Sequence, residues 1–113
     1  MEEKAVILAQ RQLDAYNSQN LEKFLSVYSE DVEVLEFPSN KQTLKGIEQM
    51  RERYEALFQN NPKQHAKLLS RIVKGNFVID HEFVTGRSNG IEVTAIAIYE
   101  IIGDKIGRVW FVK

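Results

Sequence analysis

Three ionisable residues in succession, Asp80-His81-Glu82, interrupt an otherwise apolar run, with Phe77-Val78-Ile79 before them and Phe83-Val84 after. Burying a charge in such a strand is costly unless it is paired or put to use, so these are residues through which a proton could be moved. A second such position is Glu36. In Asp31-Val32-Glu33-Val34-Leu35-Glu36-Phe37, alternation puts Glu36 on the face of Val32 and Val34. Inside a pocket, desolvation would raise the pKa of that carboxylate and let it take a proton from an acidic C–H. Outside one, it would end an exposed strand and pair with Lys41 or Lys45. We take Glu36 as the candidate base and His81 as the candidate general acid or carbonyl-holding donor. The structural alternative for His81 is a buried histidine hydrogen-bonded to Ser70. Tyr16, Tyr28 and Tyr54 fall on helix faces, where aromatic residues usually build core; buried hydroxyls need partners, so a pocket holding Glu36 and these tyrosines would contain both acceptor and donors.

The elements that must position these residues follow from periodicity. Val6, Ala9, Leu13 and Tyr16 recur at helical spacing between Glu2 and about Ser18, with Gln12 beside that face. Asn20 is a suitable N-cap for a short second helix whose stripe is Leu21, Phe24, Leu25 and Tyr28. A strand over 31–37, a turn at Pro38-Ser39-Asn40 and a short return strand over 42–45 come next. Gly46 opens a third helix with the stripe Ile47, Met50, Tyr54 and Leu57 or Phe58, ended by Asn60-Asn61-Pro62. Four strands complete the chain. Lys67–Lys74 and Phe77 onward are joined by Gly75-Asn76, and the register then sets Arg71 opposite Asp80 and Ser70 opposite His81. The face with Ile72, Ile79, Leu68 and Phe83 is the more apolar, which turns His81 toward the core and the Arg71–Asp80 pair outward. In the last hairpin Glu100 faces Arg108 and Ile98 faces Trp110.

The expected class is α+β: three N-terminal helices on the concave face of a strongly curved, mainly antiparallel sheet forming a cone. The outer sheet face would then expose Ile96, Ile98, Trp110 and parts of Val73 and Val78, which predicts a homodimer through that face.

At 113 residues the chain reads as one domain, 1–113. With 15 basic and 16 acidic residues in no long single-sign run, it carries no mark of a nucleic-acid binder. It has no cysteine, and its acidic opening Met1-Glu2-Glu3-Lys4 is unlike a secretory signal. No apolar run is long enough to span a membrane, so a cytoplasmic protein is expected. No metal or other cofactor is expected either: His65 and His81 are the only histidines, and neighbouring strand residues such as Asp80, His81 and Glu82 point to opposite faces. Gly86-Arg87-Ser88-Asn89-Gly90 is a hairpin loop rather than a phosphate cradle, because no helix follows it.

Across essentially its whole length the chain resembles the nuclear-transport-factor-two-like fold, which includes the SnoaL-like polyketide cyclases and the ketosteroid isomerases. The likeness rests on Ala15-Tyr16-Asn17-Ser18-Gln19-Asn20-Leu21, Tyr28-Ser29-Glu30-Asp31-Val32, Gly46-Ile47 followed by Arg51-Glu52-Arg53-Tyr54, and Tyr99-Glu100 through Gly103-Asp104-Lys105-Ile106. The resemblance implies an apolar pocket inside the cone, used by different members for isomerisation, cyclisation, dehydration, hydrolysis or no chemistry. It puts Glu36 at the carboxylate base and Tyr54 at a supporting tyrosine. The isomerases' oxyanion tyrosine falls at Gln12 and their protonated acid at Ala97, so both donors are missing and steroid isomerisation itself is not expected. A gap-free match through Gly86 would instead turn Asp80 and Glu82 inward and His81 outward; apolar patterning favours His81. The resulting expectation is a small apolar, carbonyl-bearing or cyclic molecule in the cone, held by Tyr16, Tyr28, Tyr54 and Gln12, with Glu36 and His81 doing acid/base chemistry. The alternative is a non-catalytic ligand-binding or dimerisation module.

Overall fold

A computed structural model describes residues 2–112. Helix α1 (Glu2–Ser18) begins with Glu2 and Glu3, whose charges complement the helix dipole, and buries Ala5, Leu8, Ala9, Gln12, Leu13 and Ala15. Helix α2 (Leu21–Ser26) is capped by the Asn20 side chain, which accepts from the Lys23 backbone N–H at 3.1 Å. Strands β1 (Tyr28–Phe37) and β2 (Gln42–Lys45) lead into α3 (Ile47–Asn60). The meander β3 (His65–Lys74), β4 (Phe77–Thr85), β5 (Val93–Ile102) and β6 (Lys105–Val112) completes the chain. This is the expected element order, with β1 starting earlier and α2 ending earlier than periodicity implied.

The six strands lie in the order β2-β1-β6-β5-β4-β3. All neighbours are antiparallel except β1 and β6, which run parallel. The sheet stays open, and the three helices pack on one side of it. Phe24 of α2 is fully buried at the centre of the packing, its ring centroid 4.5 Å from Tyr54 and 5.1 Å from Tyr28. Burying so many aromatic rings supplies much of the core's hydrophobic stabilisation.

Register decides which side chains meet. The β5–β6 pairs Ile98–Trp110 and Glu100–Arg108 form as expected, as do the β3–β4 pairs from Lys74–Phe77 to Ser70–His81. A bulge at Leu69 then shifts the ladder, so that Glu82 faces Leu68 and Phe83 faces Lys67.

The expected facing of this hairpin is reversed. Along β4 the buried residues are Val78, Asp80, Glu82 and Val84, and Asp80 is 0% exposed. Arg71 and Asp80 therefore pair under the helices, while His81, Ile79 and Phe83 lie on the far side. Val73 and Val78 also pack toward the helices rather than on the outer face. The reason is physical: the outer face of this hairpin is the more apolar one, because Arg71, Asp80 and Glu82 lie on the inner face. Ile72 is 63% exposed on that outer face despite its hydrophobicity, so apolar content pointed to the wrong side. Among the described residues no helix is long and apolar enough to cross a membrane.

Candidate functional site

Where α1 and α3 cross the concave sheet face they leave a cavity of about 380 Å³. Gln12 and Tyr16 of α1, Tyr54 of α3, Glu82 of β4 and Arg87 of the following loop contribute its polar lining, and Phe111 of β6 closes one side. Such a volume suits a small organic molecule.

Glu82 owes its inward aim to strand alternation. It lies two residues after Asp80, hence on the same face and about 6–7 Å along the strand. Asp80 accepts two bonds from Arg71, Nε to Oδ1 at 2.7 Å and Nη2 to Oδ2 at 3.0 Å, and Arg71 Nη1 donates to Gln10 Oε1 at 3.0 Å. That bidentate pair keeps a charge where none would otherwise be tolerated. Glu82 is only 8% exposed and has no such partner. Burial first, and the neighbouring Asp80 charge second, push its carboxyl from 4.5 up to about 7; Arg71 acts weakly in the opposite direction. Two carboxyls on one strand are thus given different environments: one is tied to a guanidinium, the other opens on the cavity and is poised to bind or release a proton near neutrality.

Hydrogen-bond donors line the same cavity. The Gln64 amide donates to the Tyr16 hydroxyl oxygen, and Gln64 Oε1 accepts from Arg87 Nε at 3.1 Å. With its oxygen engaged as an acceptor, Tyr16 can aim its own O–H into the cavity. Burial raises the Tyr16 pKa, with further contributions from Tyr54 and Glu82, while Arg87 opposes the rise. Burial likewise pushes Tyr54 up to about 12. Both phenols stay protonated at neutral pH and serve as donors. Tyr99 donates to Gln12 Oε1 at 3.2 Å, and the Gln12 side chain also hydrogen-bonds the Tyr28 hydroxyl, which ties this wall of the cavity to the aromatic core.

Of the residues singled out from the sequence, Gln12, Tyr16 and Tyr54 line this cavity. Tyr28 lies buried behind it in the aromatic core. Glu36 keeps the predicted strand face, cross-strand from Phe111, but it opens on a separate cleft of about 230 Å³ with Thr43, Arg53 and Phe111. Phe111 borders both spaces, and Glu36 lines only the smaller one. His81 faces away, its inward neighbours in sequence being Asp80 and Glu82. Glu36 and His81 are therefore not brought together. Sequence reasoning weighed an inward Glu82 but preferred His81, and it did not single out Gln64 or Arg87 as site residues. The available signal for Glu82 was the i, i+2 carboxylate spacing and the direct match through Gly86. Among the described residues no group of three or more His, Cys, Asp or Glu is placed to hold a metal ion.

Residues 9–109 match the family model described as a SnoaL-like domain. No curated protein is significantly similar to the chain. Among solved structures, an uncharacterised cystatin-fold protein from Novosphingobium aromaticivorans is 25% identical with a TM-score of 0.87, the likeness covering 96% of this chain and 97% of that one. A candidate ketosteroid isomerase from Kribbella flavida is 16% identical with a TM-score of 0.82, covering 98% of this chain and 78% of the other. A candidate polyketide cyclase from Sinorhizobium meliloti is 18% identical with a TM-score of 0.78, covering 92% of each. The last two show a shared fold, with three helices on a curved six-stranded sheet. Since the domain match runs through nearly all the described elements, the chain belongs to the SnoaL-like domain family.

Proposed function

We propose that this chain is a cofactor-free acid/base enzyme, with Glu82 as the proton-transfer group, acting on a small carbonyl-bearing or cyclic compound in a cytoplasmic setting. The supporting observation is a carboxyl held near neutrality with its face to a cavity lined by phenols. Ionised Glu82 takes a proton from the carbon next to a carbonyl. Tyr16, polarised through Gln64 by Arg87, and Tyr54 donate to the oxygen on which negative charge develops. Protonated Glu82 then returns the proton to the same or a neighbouring carbon, which gives exchange or isomerisation with no other reactant.

A second reading is favoured by Ala97, which stands where the resemblance placed an acid. The cavity would then hold a ligand without turning it over. Deuterium incorporation into a panel of enolisable ketones in D2O, followed by proton NMR, separates the two. The wild-type protein should accelerate exchange for at least one member, and Glu82→Gln should lower that rate by about 100-fold or more. Equal rates in wild type and variant would refute the catalytic reading.

The half-exposed outer face with Ile72, Ile98 and Trp110 supports a homodimer as this protein's assembly. Light scattering at micromolar concentration should give twice the chain mass, and Ile98→Lys should return it to one. A wild-type mass of one chain would contradict the assembly.

A further inference from the structure

Arg87 brings a positive charge to the cavity lining that no described acidic side chain neutralises. Six ion pairs form among the described residues, and Arg87 is in none of them. Nor is its charge spent on Glu82, whose environment is set by burial, Asp80 and Arg71. Its Nε is committed to Gln64 at 3.1 Å, which fixes the plane of the guanidinium and leaves the two Nη groups as donors.

The backbone on either side of Arg87 is anchored. Gly86 has φ +76°, and a Cβ there would fall 2.0 Å from the Lys63 carbonyl oxygen, so only glycine lets β4 run this close to the loop before β3. On the other side the Ser88 N–H donates to Asn61 Oδ1 at 3.1 Å, and the Ser88 hydroxyl donates to the Asn60 carbonyl. The guanidinium is thus half-buried, held in place and unpaired beside an apolar wall that includes Leu13, Val84 and Val93. A fixed planar fork with free donors is matched by a carboxylate, and one cation matches one negative charge.

We infer that the cavity's ligand is an amphiphilic carboxylic acid, its carboxylate held by Arg87 and its apolar body lying along the tyrosine wall toward Glu82. This deepens the proposed function and rests on the same cavity. It assigns Arg87 two roles: it binds the substrate's acid group, and through Gln64 it polarises Tyr16. A carbonyl between the acid group and the apolar body would lie toward Tyr16 and Glu82, which makes keto acids and their cyclic relatives the substrate class.

The test uses matched pairs: short aryl and alkyl carboxylic acids and their methyl esters, among them 4-phenylbutyrate and 4-oxo-4-phenylbutyrate, titrated by calorimetry and two-dimensional NMR against the wild-type protein, Arg87→Gln and Arg87→Lys. At least one acid should bind about 10-fold or more tighter than its ester. Arg87→Gln should abolish that preference by weakening the acids about 10-fold or more beyond any effect on the esters, and Arg87→Lys should restore part of it. Esters binding as well as acids, an Arg87→Gln variant that weakens acid and ester alike, or no acid binding below millimolar concentration would each overturn the inference. A direct titration of Glu82 separates this result from the parent reading. If Glu82 titrates near neutrality while esters bind best, the acid-group inference falls and the proton-transfer reading stands. If Glu82 titrates as an ordinary carboxyl while Arg87 still selects acids, the proton-transfer reading falls and the inference stands.

Discussion

Raising the pH from 4.5 to 8 should destabilise this protein through Glu82, and the Glu82→Gln variant should escape that loss. The folded-state pKa is pushed up from 4.5 to about 7, so between those values the folded protein binds a proton that the unfolded chain has released. Stability therefore falls as pH rises through that window and levels off above it; below pH 4.5 both states are protonated and the group contributes nothing. A shift from 4.5 to about 7 is worth about 3 kcal/mol at 1.36 kcal/mol per unit. For a domain whose whole stability is about 5–15 kcal/mol, this is a large fraction. The assay is urea unfolding of wild type and Glu82→Gln at several pH values from 4.5 to 8. The exposed carboxylates whose ion pairs lower their pKa, Glu22 and Asp104, are common to both proteins and cancel in the difference. Relative to the variant, wild type should lose about 3 kcal/mol across the range, roughly 1–3 M in urea midpoint. Two stability curves that stay parallel from pH 4.5 to 8 would refute the assignment of a raised pKa to Glu82.

Two further substitutions probe the frame around the site. Arg71→Met strands the fully buried Asp80 and should cost about 3–5 kcal/mol at pH 7, most of it regained in Arg71→Met/Asp80→Leu; denaturant unfolding of single and double variants reads this, and an additive double variant would contradict it. Gly86→Ala combines a left-handed backbone with a collision against the Lys63 carbonyl, whereas Gly90→Ala meets only the backbone cost because nothing lies within 4 Å of its added Cβ. The first should lower stability by about 2 kcal/mol or more and the second by about 1, measured by thermal melts; equal losses would contradict the close approach.

Most of the architecture was legible because each element announces itself locally. Asn20 is a cap, Gly75-Asn76 a turn, and the stripes of α1 and α3 have helical period. Even cross-strand partners such as Arg71 and Asp80 followed from counting back from the turn. What periodicity could not supply was the sign of the face. Ile72, Ile79 and Phe83 make the outer side of β3 and β4 greasier than the inner side, because the inner side carries Arg71, Asp80 and Glu82. A rule that buries the more apolar face inverts such a sheet, and the polar groups that define the site were what misled it. Leu69 added a second difficulty: a bulge changes the partner of Glu82 without altering the composition of either strand. Glu36 failed as a cavity residue for a different reason. Its strand face was read correctly, but the parallel β1–β6 pairing sets it beside Phe111 at a separate, smaller cleft. Long-range pairings of that kind leave no local trace in sequence.

Proton transfer in this cavity depends on the titration of a single side chain, Glu82. Selective 13C labelling of glutamate, with Glu82→Gln to assign the resonance, gives the Glu82 carboxyl midpoint directly. The midpoint should lie close to 7 and fall when Asp80 is replaced by asparagine, since that change removes a neighbouring negative charge. A midpoint near 4.5, unmoved by the Asp80 replacement, would contradict it.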